Sequence, residues 1–257
     1  MTGLLAGARG VVIGVSSANS LGYAIARHLH AQGAEVALTC RPPRIDQVWP
    51  LAAELGGRAL AVDVTDDASL AAAFAALGPA PLDFVVHSVV DIPEGVLARP
   101  MVELSRAEFE HVMTVSAWSL IAVCRHARPL LAKSQAPRVV TLTSSCSHRS
   151  TPNYHVAGIA KAALESAVVY LAMQLGRESI LVNAISSSLI ATDGAIRAIG
   201  AGHATSTRAV QARRSATGVA VGLDDVARSV GFLCSPMASN LTGEILTVDG
   251  GFSRTYL

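Results

Sequence analysis

Residues 9–22 read Arg9-Gly-Val-Val-Ile-Gly14-Val-Ser-Ser-Ala-Asn-Ser20-Leu-Gly22, and this stretch decides the fold. An apolar run ends at Gly14, a loop of small residues follows, and an amphipathic segment opens at Leu21. Strand, tight loop and helix in that order suit a phosphate. Small residues let the backbone approach a pyrophosphate, and the helix N-terminus offers free N–H groups and a favourable dipole. This is not the strict GxGxxG pattern. Gly14 and Gly22 frame the loop, and Ser20 takes a place where glycine is common, with a hydroxyl able to bond a phosphate. An ordinary strand–helix turn uses the same small residues, so the setting has to decide.

Outward from this loop, short apolar runs alternate with longer amphipathic ones. Strands are expected at Arg9–Gly14, Glu35–Cys40, Ala59–Val64, Leu82–Ser88, Arg138–Ser144, Ile180–Ser186 and Glu244–Asp249. Helices are expected at Leu21–Gln32, from Thr65 or Asp66 to Leu77, from Ser105 with Pro129 near the end, at Asn153–Arg177 and at Leu223–Ser235. Ser105 and Glu108 form a capping-box pattern. The alternation predicts an α/β fold: a single-domain Rossmann fold over residues 1–257, with a doubly wound, seven-stranded parallel sheet in the order 3-2-1-4-5-6-7 flanked by helices. Ligand should bind at the carboxyl ends of the strands, where the order reverses between strands 1 and 4.

Composition narrows the classes. Hydrophobic residues make up 51% of 257, enough for a large core without staples. A net charge of +1 gives no basic surface for nucleic acid. The four cysteines are far apart and form no CxxC, which argues against a metal site or disulfide framework and for a cytoplasmic protein. The N-terminal MTGLLAGARG has no signal-peptide pattern, and no stretch of about 18 apolar residues free of charge reads as a membrane span.

The end of the second strand separates the two nicotinamide dinucleotides. A carboxylate there would bind ribose hydroxyls, whereas an arginine accommodates a 2′-phosphate. The chain reads Thr39-Cys40-Arg41 with Arg44 close behind, and Glu35 lies at the strand's start, so NADPH is the expected cofactor. If Arg41 and Arg44 are only solvated loop charges, NADH is the alternative. Asp63 and Val64 close the third strand and meet the adenine edge, or Asp63 caps the next helix. Gly14, Ser16, Ser20 and Leu21 are the expected contacts of the loop.

Tyr154 and Lys161 stand seven residues apart, two helical turns, and so return to nearly the same face. An ammonium there favours the phenolate, lowers the tyrosine pKa and can hold the nicotinamide ribose, giving the proton source that a hydride transfer needs. Ser144 ends the fifth strand and could orient a carbonyl, with Ser145 its nearest rival. His87 reads as a satisfied core histidine. His148 and His155 flank the site with no carboxylate to pair with.

These residues together resemble the short-chain dehydrogenase/reductase superfamily, and within it the divergent branch that holds bacterial enoyl-[acyl-carrier-protein] reductases. The resemblance runs through GVSSANSLGYAIA, FVVHS, PNYHVAGIAKAALE, VNAIS and FLCSPMASNLTGEILTVDGGF. The branch's Gly-x5-Ser fingerprint is met by Gly14 and Ser20, and its seven-residue Tyr–Lys spacing by Tyr154 and Lys161; ordinary members use a spacing of four, where this chain has Gly158. The resemblance implies that Ser88 and Val89 line the adenosine ribose, that Ile190 and Thr192 touch the nicotinamide end, that about 187–216 is a mobile substrate lid, and that the protein is a homotetramer packed through the long helices after strands 4 and 5. It also exposes departures. Ser144 stands where the branch carries an aromatic residue, Val90-Asp91 replaces a glycine and an aromatic, and Ser188-Leu189 replaces Gly-Pro. Asp91 is expected to bring charge to the substrate mouth.

Three functions fit. The first is an NAD(P)H-dependent enoyl-acyl carrier reductase, its pocket refitted for a specialised biosynthetic substrate, small or carrier-bound. The second is an NADPH-dependent ketoreductase using Ser144, Tyr154 and Lys161. The third is a dinucleotide-binding sensor without turnover.

Overall fold

The computed structural model describes residues 3–255. The single-domain expectation over 1–257 therefore includes residues 1–2 and 256–257, which lie outside the described residues. Seven parallel strands run β1 Arg9–Ile13, β2 Glu35–Cys40, β3 Ala59–Ala61, β4 Phe84–His87, β5 Arg138–Ser144, β6 Leu181–Ser187 and β7 Ile245–Val248. Their order in the sheet is β3-β2-β1-β4-β5-β6-β7, as the alternation of the sequence predicts. Pairing is in parallel register throughout, for example Val12 opposite Leu38 and Val86.

The helices are α1 Leu21–Ala31, α2 Ile45–Glu54, α3 Asp67–Ala76, α4 Arg106–Met113, α5 Ser119–Leu131, α6 His155–Leu175, α7 Asp193–Ile199, α8 Ala201–Arg214 and α9 Leu223–Cys234. Strand side chains alternate between the two faces of the sheet. Val11, Ile13, Val85 and Val139 pack with α3, α5 and α6. Val12, Val86, Val140 and Ile185 pack with α1, α2 and α9. A third cluster, built on Val96, Val112, Val156 and Ala160, takes Ala198 and Ile199 of α7 on its surface. α7 and α8, joined at Gly200, thus roof the carboxyl edge of the sheet over the stretch expected to be the lid.

Several boundaries differ from expectation for physical reasons. α2 has no counterpart in the sequence reading, because Pro42, Pro43 and Pro50 break the pattern; Pro50 nonetheless lies inside the helix and only removes one N–H donor. β3 ends at Ala61 instead of Val64, since Asp63 turns the chain. Its Oδ1 accepts from Thr65 N at 2.9 Å and Thr65 Oγ1 at 2.7 Å. The helix after Ser105 is interrupted by a widened π turn at Thr114–Trp118, although its capping box forms as read. α6 begins two residues later than Asn153, which has φ of +57° and cannot continue a helix. By length and composition His155–Glu178 is apolar enough to cross a membrane. Here it packs on β5 and β6 with Lys161 and Glu165 buried, the setting of a core helix.

Candidate active site

Two connected chambers open at the carboxyl ends of the strands, of about 410 and about 190 Å³. They share Gly14, Ser16, Ser88, Val89, Val90 and Gly194. Gly14, Ser16, Ser20, Leu21, Ser88, Val89, Lys161, Ile190 and Thr192 line the larger chamber, and Arg41, Asp63 and Val64 the smaller one. Every residue expected to meet the cofactor is therefore brought to one cleft. Gly14 has φ of +97°, and a Cβ there would overlap the Ser88 carbonyl oxygen. That cradle, with the first turn of α1 opening beside it, fits a dinucleotide pyrophosphate.

The structure bears on four readings around this end. The Ser20 hydroxyl is not free for a phosphate. It donates to Ser17 O at 2.6 Å and accepts from Tyr23 N at 3.3 Å as the cap of α1. The first turn of α1 still offers the backbone N–H groups of Leu21 and Gly22, which have no partner within the helix. Arg41 is an exposed loop charge that is nonetheless paired: its Nη1 lies 3.1 Å from Asp91 Oδ2. Asp91 also pairs with His111 Nε2 at 3.0 Å. Asp91 is thus not at the substrate mouth. The loop after β4 carries it into the smaller chamber, where Arg41 and His111 are its partners. Asp63 does not cap α3, a task done by Asp66, which accepts from Ala68 N at 3.0 Å.

Tyr154 stands at the N-cap of α6, and its carbonyl accepts the first helical bond from Gly158 N at 2.7 Å. Ser144 and Ser145 both line the chamber beside it. The expected lowering of the tyrosine pKa is reversed. Burial pushes Tyr154 up to about 12, the neighbouring Cys146 pushes the same way, and a hydrogen bond with Ser144 pulls only weakly down. Lys161 does not contribute to the shift of the phenol, and its Nζ donates to Leu142 O at 2.8 Å. Burial lowers Lys161 to about 8, against the attraction of Glu165. Tyr154 is therefore a neutral phenol and Lys161 a marginal ammonium.

Behind them His87 is a satisfied core histidine, as its apolar strand implies. Nδ1 lies 2.9 Å from Thr141 Oγ1 and Nε2 2.8 Å from Ser119 Oγ. Since the Ser119 hydroxyl donates to Val115 O at 2.5 Å, Nε2 carries the proton. Burial and the nearby Lys161 hold His87 down at about 3. His148, contrary to expectation, has a carboxylate: its Nε2 lies 2.6 Å from Glu165 Oε2. Glu165 Oε1 accepts from Thr143 Oγ1 at 2.6 Å. Sequence reasoning missed Glu165, although its place one turn after Lys161 was the signal available. It missed His111, Asp193 and Arg197 for want of any pattern.

A protein-family model described as enoyl-(acyl carrier protein) reductase matches residues 14–253. The chain belongs to the enoyl-(acyl carrier protein) reductase family. An enoyl-[acyl-carrier-protein] reductase [NADH] of Salmonella typhimurium is 37% identical, with 98% of this chain and 96% of that protein covered. The enoyl-acyl carrier protein reductase of Bacillus cereus, solved with NADP+ and an indole naphthyridinone, superposes with a TM-score of 0.93 at 34% identity, covering 99% of this chain and all of that one. The Anaplasma phagocytophilum enoyl reductase, solved with NAD, gives 0.91 at 33%, covering 100% and 96%. This member of the enoyl reductase family is an oxidoreductase homologue built for a nicotinamide dinucleotide. The branch's Tyr–Lys spacing also has a steric basis here. A Cβ at Gly158, where ordinary superfamily members carry their lysine, would lie 2.8 Å from the Cys146 carbonyl oxygen.

Proposed function

We propose that the protein is a cytoplasmic, NADPH-dependent reductase of a carrier-bound enoyl thioester, with a pocket refitted for a more polar acyl group than a plain fatty chain. The observation that carries the reading is the meeting of Tyr154 and Lys161 with the Gly14 loop in one cleft. A bound dinucleotide would supply a hydride to the β-carbon of the double bond, and the enolate left behind would take a proton from water at its α-carbon. Tyr154, neutral across the working pH range, donates its hydroxyl to the thioester oxygen and stabilises the enolate that forms. Lys161 holds the nicotinamide ribose. Ser144, Thr151, His203, Thr207 and Gln211 set polar groups within the mainly apolar lining of the larger chamber, suited to an acyl chain that carries a polar substituent. Preference for NADPH rests on Arg41 and Arg44 in the smaller chamber, with no carboxylate at the end of β2. A homotetramer would cover the exposed Val169, Tyr170 and Met173 of α6 and Ile121 of α5.

Ser144 beside Tyr154 favours a second reading, reduction of a ketone with the two hydroxyls sharing its oxygen. Steady-state oxidation of NADPH with crotonyl thioester against a panel of ketones separates the two. The first reading expects thioester turnover that survives Ser144→Ala. Turnover of ketones alone, abolished by Ser144→Ala, would replace it with the second. If neither substrate class turns over and Tyr154→Phe leaves the biological effect intact, the protein is a dinucleotide sensor.

A further inference from the structure

α7 supplies part of the wall of the smaller chamber. Gly194 and Arg197 line it with Arg41 and Arg44. The helix is fixed to the phosphate loop through its first residue. Asp193 Oδ2 accepts from Ser17 Oγ at 2.6 Å, and Oδ1 accepts from Asn19 Nδ2 at 3.0 Å. These bonds join the loop after β1 to the roof across more than 170 residues of chain. Arg44 and Arg197 both stand in the field of Asp193 and, after its two hydrogen bonds, help hold its carboxyl below the usual range.

The three arginines are engaged differently. Arg41 pairs with Asp91 at 3.1 Å through one of its nitrogens. Arg44 donates to Gln47 Oε1 at 2.9 Å. Arg197 has no ion pair or hydrogen bond among the described residues, and four residues along α7 from the Asp193 latch it is carried to the chamber wall. Asp91 and Asp193 offset part of the charge of these three guanidinium groups, and a phosphate monoester with about two negative charges at neutral pH is the further anion their forks match.

We propose that Arg197 is the roof's contribution to recognition of the adenosine 2′-phosphate, so that the phosphorylated dinucleotide, and not its unphosphorylated counterpart, holds α7 and α8 down over the cleft. The inference rests on the NADPH reading above and deepens it. It makes cofactor selection and closure of the substrate chamber one event, because His203, Thr207 and Gln211 of α8 line the chamber that closes. The phosphate draws Arg197 inward, and the Asp193 latch keeps the helix start in place while it does so.

The test is direct binding of NADPH and NADH to the full-length protein, with hydrogen exchange of residues 193–214 followed in each complex, for wild type, Arg197→Gln and Arg44→Gln. Arg197 is exposed, so the substitution leaves the core untouched. Wild type should bind NADPH more tightly and show NADPH-specific protection of the segment. Arg197→Gln should weaken NADPH roughly tenfold, change NADH less than twofold, and reduce protection to the NADH level. Arg197→Gln that keeps both the preference and the protection overturns the inference. If Arg44→Gln then abolishes the preference, the NADPH reading survives alone. Equal affinity of wild type for the two cofactors overturns both.

Discussion

Lys161→Met tests the electrostatic account of the site by stability alone. Burial holds the lysine pKa at about 8 against an ordinary value of 10.5. At about 1.4 kcal/mol per pH unit, the fold disfavours the charged side chain by about 3 kcal/mol relative to the neutral one. Below pH 8 the lysine is protonated in both folded and unfolded states, and the whole penalty is present. Between pH 8 and 10.5 the unfolded chain binds the extra proton, so wild type gains stability as pH rises. Methionine removes the charge but also the hydrogen bond to Leu142 O, a loss of about 1–2 kcal/mol. The variant should therefore be more stable than wild type by about 1–2 kcal/mol at pH 7, raising Tm by about 2–6 °C for a chain of this size. Above pH 10 the order should invert. Urea unfolding of both proteins at pH 7, 8.5 and 10 reads the crossing. A stability difference that stays constant with pH would refute the reasoning, and one that favours wild type most at pH 7 would reverse its sign.

Gly158→Ala should lower stability by about 1 kcal/mol or more in thermal unfolding, despite alanine's better helix propensity. The new Cβ would stand 2.8 Å from the Cys146 carbonyl and displace the loop that holds Tyr154. Gly14→Ala should abolish dinucleotide binding in a titration of nicotinamide fluorescence, since it combines a positive φ with overlap on Ser88. The kcat/KM profile of the free enzyme for cofactor should fall above about pH 8 as Lys161 loses its proton, with no second limb from Tyr154 until about 12.

The alternation of apolar runs was enough to read the sheet order, because a parallel strand buried on both faces leaves a continuous hydrophobic signature. α2 was hidden because prolines disguise a helix whose tertiary contacts keep it. In the site, the elements that deliver Gly14, Ser88, Ser144, Tyr154 and Lys161 to one edge follow from topology, and so were legible. What the side chains do there was not. Ser20 turned to cap its own helix, Lys161 turned to a strand carbonyl, and Asp91 found Arg41. Each is a choice of hydrogen-bond partner made across elements distant in sequence, which no spacing encodes. The Asp193 latch is the extreme case, linking the first loop to the segment after β6.

The most direct measurement is steady-state oxidation of NADPH by the purified protein with a crotonyl thioester of acyl carrier protein, with Tyr154→Phe in parallel. The account predicts one NADPH consumed per saturated thioester formed, and at least a hundredfold lower kcat in the Tyr154→Phe protein with its fold and cofactor binding retained. No thioester reduction by wild type under conditions where it binds NADPH, or equal turnover by Tyr154→Phe, would contradict it.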